Sequence, residues 1–288
     1  MSETESTAPQ VFRDIAPLQQ HLQEVRREGR KIALVPTMGA LHEGHLALVR
    51  KALEVAEEVV VTIFVNPTQF GPSEDLASYP RNEEADLQAL GKLGKFTIFI
   101  PAAEEMYPAD FSTFIDEAKL SKGLCGVSRP QFFRGVLTIV GKLFNIVHPD
   151  VAVFGQKDAQ QAAVIQKMVR DLHFGVEILT HPTVREEDGL AMSSRNQYLS
   201  NAQREEARAL SKSLFKAKQM VEEGVCSTDR VIAEVTHLLS QHRRVRLIYA
   251  QIVDSETLEA RREIVPGKSL FALAAWVDQV RLIDNIQL

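Results

Sequence analysis

Two histidines three residues apart, His42 and His45, lie in the run Val35-Pro36-Thr37-Met38-Gly39-Ala40-Leu41-His42-Glu43-Gly44-His45. Both imidazoles can donate hydrogen bonds to phosphate oxygens, or stabilise charge as phosphorus is attacked. Gly39 and Gly44 let the backbone approach a ligand closely. A His-x-x-His pair at a helix start is also often a pair of polar caps, and two histidines alone do not make a metal site. The pattern is neither of the usual glycine fingerprints, G-x-G-x-x-G or G-x-x-x-x-G-K-[ST].

Three further stretches carry groups that could act. In Gly155-Gln156-Lys157-Asp158-Ala159-Gln160-Gln161, Lys157 is a mobile point charge suited to phosphate, or an ordinary surface lysine. Asp158 can cap a helix N-terminus, and Gln161, four residues beyond Lys157, can point the same way. Ser193-Ser194-Arg195-Asn196, after Met192, has no apolar period and reads as an exposed loop. Its hydroxyls and guanidinium could close over a triphosphate, or it could link two domains. Asn66 and Gln69, in Asn66-Pro67-Thr68-Gln69-Phe70-Gly71-Pro72, offer side-chain amides to a small polar substrate, though Asn-Pro also simply starts a turn.

The elements that must hold these groups follow from apolar periodicity. Lys31 to Val35 reads as a strand, His45 to Glu57 as a helix with Leu46, Val49, Leu53 and Ala56 on one face, and Val59 to Val65 as a second strand. Strand, tight loop, helix, strand implies a parallel sheet. The loop ends at a helix N-terminus, where unpaired N–H groups and the helix dipole favour an anion. The pattern recurs with a strand from Asp150 to Phe154 and a helix to about Leu172. Asn66 lies just beyond a strand's carboxyl end, where open α/β sheets bind ligands. Other helices are expected over Pro17 to Arg30, Asn82 to Leu93 and Phe133 to Val147, the last broken by Pro149. Phe96 to Ile100 and Gly175 to Thr180 read as strands. Ser200 to Gln203 is a capping-box pattern opening one charged helix to about Glu223, and a further helix spans Arg230 to His242. Val245 to Val253, Ser269 to Val277 and Val280 to Leu288 read as strands.

A chain of 288 residues suits one large or two modest domains. Its 45% hydrophobic and 25% charged content is that of a soluble globular protein. A net charge of −5 argues against a general nucleic-acid binder. Cys125 and Cys226 are too few for a disulfide framework, and reduced thiols in a cytoplasmic protein are the simplest reading. No run is long and apolar enough to span a membrane. Met1 to Gln10 lacks an apolar core and reads as a disordered tail, not a signal peptide. We expect a Rossmann-like, doubly wound α/β domain over residues 1–184, and a smaller α+β domain over 185–288 covering the site.

The run from Pro36 to His45 resembles the signature loop of the pantoate–β-alanine ligases, a family of nucleotidyltransferases with a His-x-Gly-His type motif. The resemblance extends from about Lys31 to Asn285. It includes Phe64-Val65-Asn66-Pro67-Thr68-Gln69-Phe70, Tyr79-Pro80-Arg81 and Asp188-Gly189-Leu190-Ala191-Met192-Ser193-Ser194-Arg195-Asn196. It implies ATP-dependent condensation of (R)-pantoate with β-alanine. The pantoate carboxylate attacks the α-phosphorus of ATP, giving pantoyl adenylate and diphosphate; the β-alanine amine then attacks the acyl carbon, giving pantothenate and AMP. His42, His45 and Lys157 would stabilise the phosphates and the transition state. Met38, Gly39, Ala40, Leu41, His42, Glu43, Gly44 and His45 would frame ATP with Gly155, Gln156, Lys157, Asp158, Val184, Met192, Ser193, Ser194 and Arg195. Gln69 and Gln161 would hold pantoate, with Thr37, Asn66 and Arg129 as further substrate contacts. Mg²⁺ would accompany the triphosphate, with Asp86 where the family often has a magnesium-associated acid. The family is typically homodimeric.

Three positions depart from the family pattern. Arg129-Pro130-Gln131-Phe132-Phe133 stands where the family reads Arg-Pro-Gly-His-Phe, and Gln156 replaces a glutamate. Two alternatives stay open: a related nucleotidyltransferase with another acceptor, and a nucleotide-binding protein that has lost catalysis.

Overall fold

The computed structural model describes residues 9–72 and 74–288. The elements, in chain order, begin with β1 (Gln10–Phe12), α1 (Ile15–Arg27), β2 (Ile32–Thr37), α2 (Glu43–Leu53), β3 (Glu58–Ile63), α3 (Glu83–Gly91), β4 (Thr97–Phe99) and α4 (Ala103–Met106). Next come α5 (Cys125–Ser128), α6 (Phe132–Val147), β5 (Val151–Gly155), α7 (Ala159–Asp171) and β6 (Glu177–His181). The chain ends with α8 (Asn201–Ala207), α9 (Ala209–Glu222), α10 (Thr228–Ser240), β7 (Val245–Asp254), β8 (Ser269–Val277) and β9 (Val280–Gln287).

These group into two compact units. The first comprises the chain up to Glu117 with Gln131–Gly155 and Val164–His181. It is built on a six-stranded sheet of order β1-β4-β3-β2-β5-β6 whose pairings are all parallel. All six residues of β3 are buried, which explains its unbroken apolar run: a central parallel strand is covered on both faces. Val35, Val61 and Val153 share one core cluster with Leu48, Val49 and Ala52 of α2 and Leu90 of α3. Leu34, Val60 and Ala152, which alternate with them, are equally buried and face the other way. The chain steps outward from β2 through β3 to β4, then returns to the other side of β2 for β5 and β6. The reversal falls between β2 and β5, the position where open α/β sheets bind ligands.

The second unit comprises Ala118–Pro130, Gln156–Ala163 and Pro182–Leu288. Its three-stranded antiparallel sheet has the order β7-β8-β9, and Asp278-Gln279 joins the last two strands. Phe271, Leu273 and Ala275 of β8 pack with Leu210 and Leu214 of α9 and Val231 and Val235 of α10. Leu270 and Ala272 point to the opposite face and cluster with Leu124 and Val253.

Several sequence expectations need correction. The expected tail lies outside the described residues except for Pro9 and Gln10, and Gln10 belongs to β1, which pairs with β4. The single helix expected from Ser200 is two, α8 and α9, separated at Arg208. Its capping box is present: the Gln203 N–H donates to Ser200 Oγ at 3.3 Å, and the Ser200 N–H donates to Gln203 Oε1 at 2.8 Å. The stretch from Ser193 to Asn196 is not an exposed loop. Ser193 caps a short 3-10 turn, Ser194–Tyr198, and Asn196 is buried.

Candidate active site

The turn after β2 is held from beneath by buried acceptors. Thr37 Oγ1 donates to the Thr62 carbonyl at 2.6 Å and accepts the Gly39 N–H at 3.2 Å. Asp86, 3% exposed on α3, accepts the Ala40 N–H at 3.0 Å on one oxygen and the Leu41 N–H at 2.7 Å on the other. Burial pushes its carboxyl above the usual range, and those two N–H groups pull against that. Gly39 has φ +78°, and a Cβ there would lie 2.9 Å from Asp86 Oδ2 and 3.0 Å from an Ile63 methyl. Only glycine fits so close a pass in a left-handed conformation.

The turn delivers His42 as the N-cap of α2. His45 Nδ1 accepts the His42 backbone N–H at 3.4 Å, which makes Nε2 the hydrogen-bearing nitrogen of the neutral ring. The two rings lie 4.0 Å apart between centroids, tilted by 30°. A pair of imidazoles thus stands at the positive end of α2, at the carboxyl edge of the sheet. Glu43, the acid beside them, pairs with Arg50, which lowers its pKa and offsets its charge.

Beyond β3, residues 67–69 form a 3-10 turn against α6. Asn66, 1% exposed, is engaged on every side by the protein. Its Nδ2 donates to Gln69 Oε1 at 3.0 Å and to the Gly135 carbonyl at 3.1 Å. Its Oδ1 accepts from Thr68 Oγ1 at 3.0 Å and Tyr107 OH at 2.8 Å. The orientation of Asn66 therefore sets that of the Gln69 amide, whose Nε2 donates to Met38 Sδ at 3.0 Å. The turn can sit there only because α6 carries glycine: a Cβ on Gly135 would lie 2.3 Å from the Thr68 carbonyl oxygen.

The corresponding turn after β5, Gln156–Asp158, is a 3-10 turn leading into α7. Lys157 Nζ lies 3.7 Å from Asp158 Oδ2. Asn285 of β9 donates from Nδ2 to the carbonyls of Gln156 and Lys157, each at 2.9 Å. Gln161 is half-buried in the first turn of α7. In the same unit Val184 accepts the Met192 N–H at 3.0 Å, and Arg185 bridges to Ala191, so residues 184–192 form a small hairpin. Met192, Ser193, Ser194 and Arg195 are half-buried. Glu186 and Asp188 bind Arg204, and the Asn196 amide reaches Glu186 Oε1 at 2.6 Å. Arg129 closes the short α5, and Phe132 stacks edge-on against Phe133 at 4.9 Å.

Among the described residues no protein-only magnesium cage surrounds Asp86. Both its carboxylate oxygens already accept backbone N–H groups, and among the described residues no group of three His, Cys, Asp or Glu could hold a metal. Mg²⁺ that arrives with a triphosphate is held chiefly by phosphate oxygens and water, so a protein cage is not required.

Within the first unit the structure brings together Thr37, Met38, His42, His45, Asn66, Gln69 and Asp86; within the second, Gln156, Lys157 and Asp158. Thr37, Asn66 and Asp86 hold backbone or side-chain amides in place. Gly135, Tyr107 and Asn285 were not singled out from sequence. Gly135 sits in a helix where glycine carries no local signal, and the other two act through partners about 40 and 129 residues away.

The family model described as pantoate-beta-alanine ligase matches residues 10–287. A pantothenate synthetase of Pseudothermotoga lettingae is 52% identical over 96% of this chain and 97% of its own. One of Moorella thermoacetica is 48% identical over 97% and 98%. The crystal structure of pantothenate synthetase from Thermus thermophilus aligns with a TM-score of 0.92 at 41% identity, covering 96% of this chain and 99% of that one. A pantoate-beta-alanine ligase from Francisella tularensis, complexed with beta-gamma ATP and beta-alanine, aligns with a TM-score of 0.79 at 30% identity, covering 97% and 98%.

Proposed function

The chain belongs to the pantoate–β-alanine ligase family, and from that premise we propose that its site joins pantoate to β-alanine at the expense of ATP, with the residues above in assigned roles. The observation that carries the assignment is the His42–His45 pair, fixed at the N-terminus of α2 by Asp86 and Thr37.

A carboxylate is a poor acyl donor until one oxygen becomes a good leaving group, and adenylation supplies that. In the first step a pantoate carboxylate oxygen bonds to the α-phosphorus of ATP and diphosphate leaves. In the second, the β-alanine amine bonds to the acyl carbon, the acyl–oxygen bond breaks, and AMP departs with the proton going to solvent. No covalent enzyme intermediate is needed. The protein's task is positioning and charge neutralisation. His45 Nε2 and His42 donate to the phosphates as charge develops, and Lys157 adds a full positive charge. Met38 to His45, Gly155 to Asp158, Val184 and Met192 to Arg195 frame ATP. Gln69 and Gln161 hold pantoate, Gln69 in an orientation set by Asn66. Mg²⁺ supplies charge screening on the triphosphate when bound. Two copies of the chain pair, on the family resemblance, and the reduced cysteines are consistent with a cytoplasmic setting.

The test is release of AMP and diphosphate from ATP, Mg²⁺ and pantoate, with and without β-alanine. Pantothenate and AMP forming only with all three substrates supports the reading. AMP or amide formation that ignores β-alanine would replace it with the other-acceptor alternative.

A further inference from the structure

β9 carries two consecutive polar residues, Asp284 and Asn285, that are 3% and 5% exposed. In a strand, neighbours point to opposite faces. Asp284 pairs across the sheet with Leu273, whose side chain belongs to the helix-covered face; Asn285 pairs with Ala272, whose side chain belongs to the other. Each meets a different segment.

On the helix-covered face, Asp284 takes both guanidinium nitrogens of Arg185, at 2.7 and 3.0 Å. Arg185 also donates to the Gly189 carbonyl at 3.1 Å, stacks over Phe215 at 5.0 Å, and forms the base of the hairpin that presents Met192 to Arg195. On the opposite face, the Asn285 amide spends both its N–H bonds on the carbonyls of Gln156 and Lys157. Its oxygen faces Gln156 Nε2 at 3.5 Å. That last contact suits the residue in this chain: an amide can donate to Asn285 Oδ1, whereas the glutamate usual in the family has no proton to offer.

We propose that Asp284 and Asn285 form a two-sided anchor that sets the Lys157 turn and the hairpin leading into Met192–Arg195 on one rigid strand, making them positioning residues for ATP. The proposal rests on the reading that those segments frame ATP. Both act through the segments they hold. Asn285 fixes the carbonyls so that the Lys157 backbone cannot rotate, and Asp284 fixes the arm that carries Ser193, Ser194 and Arg195. Because both act through one strand, the two phosphate-handling segments keep their mutual spacing.

The experiment combines hydrogen exchange of the whole enzyme with steady-state kinetics. Asn285→Ala should speed amide exchange in residues 156–160 and leave residues 185–195 unchanged; Asp284→Asn should do the reverse. Asn285→Ala should raise the Michaelis constant for ATP about tenfold or more, while that for pantoate stays within about twofold. Asn285→Ser, which keeps a small polar side chain, serves if the alanine variant does not fold. Unchanged exchange in residues 156–160 would overturn the anchor. Faster exchange with unaltered ATP kinetics would overturn its role in positioning. Lys157→Ala is measured alongside: unimpaired turnover in that variant would instead sink the assignment of the segment to ATP.

Discussion

Replacing Gly135 with alanine sets two physical effects against each other. In the interior of a helix, alanine is preferred to glycine by about 0.5–1 kcal/mol, so local propensity predicts a more stable protein. The added methyl, however, would lie 2.3 Å from the Thr68 carbonyl oxygen, 2.5 Å from the Thr68 carbonyl carbon and 2.6 Å from the Gln69 nitrogen. All three are backbone atoms, so no side chain can swing aside. Ordinary contact begins near 3.4 Å, so the turn must withdraw by about 1.1 Å (3.4 less 2.3). Such overpacking costs about 1–3 kcal/mol, which outweighs the propensity gain across most of that range. The displaced turn carries Gln69, and the same movement stretches the bond from Asn66 to the Gly135 carbonyl. A misplacement of about 1 Å can cost about 100-fold in rate. Gly135→Ala should therefore lower kcat/KM for pantoate about 100-fold and lower the unfolding midpoint, while ATP affinity changes little. The assay is AMP formation with pantoate varied at saturating ATP and β-alanine, alongside denaturant unfolding. A variant that is more stable than the parent and uses pantoate normally would refute the close approach.

Other expectations follow from the same contacts. His45→Ala and Lys157→Ala should each cut turnover by about 100-fold or more without loss of the folded state, checked by single-turnover AMP release and circular dichroism. Asp86→Ala removes two acceptors from the turn and should lower turnover at least about tenfold; recovery at high Mg²⁺ would show that Asp86 binds metal instead of N–H groups. Phe132→His should preserve or improve pantoate use, and a large loss would show that the wall has repacked around phenylalanine. The Thr257 N–H first, then the Glu256 N–H and Arg261, hold the Asp254 pKa at about 2. The stabilising effect of Asp254 is complete above the unfolded value near 4 and is lost as pH falls through about 2. Asp254→Asn should thus be less stable than the parent at pH 6, with the gap closing toward pH 2; a gap independent of pH would contradict the ionic origin.

The sheet was legible where burial on both faces leaves unbroken apolar runs, as in β2 and β3. β1 was not, because three residues at an edge carry too little pattern. The break at Arg208 was hidden because α8 and α9 continue one charged, amphipathic rhythm. Of the candidate site, the histidine loop and the lysine turn could be picked out from residue type and loop position, whereas the role expected of Gln69 came from the family resemblance and not from its local sequence. The supports could not be picked out locally. Asp86 sits 45 and 46 residues from the N–H groups it holds, and Asn285 sits 128 and 129 residues from its carbonyls, so neither has a local signature. Gly135 looks like a tolerated helix glycine until the turn packed against it is seen.

The central claim is that a pantoate oxygen attacks the α-phosphorus of ATP at this site. It is tested most directly with pantoate labelled with ¹⁸O in its carboxylate and the full set of substrates. The mechanism predicts one labelled oxygen in AMP for each pantothenate formed, because the bridging oxygen stays with phosphorus when the amine displaces it. Label in inorganic phosphate, or AMP without label, would mean that the carboxylate is activated in another way, and would contradict the account.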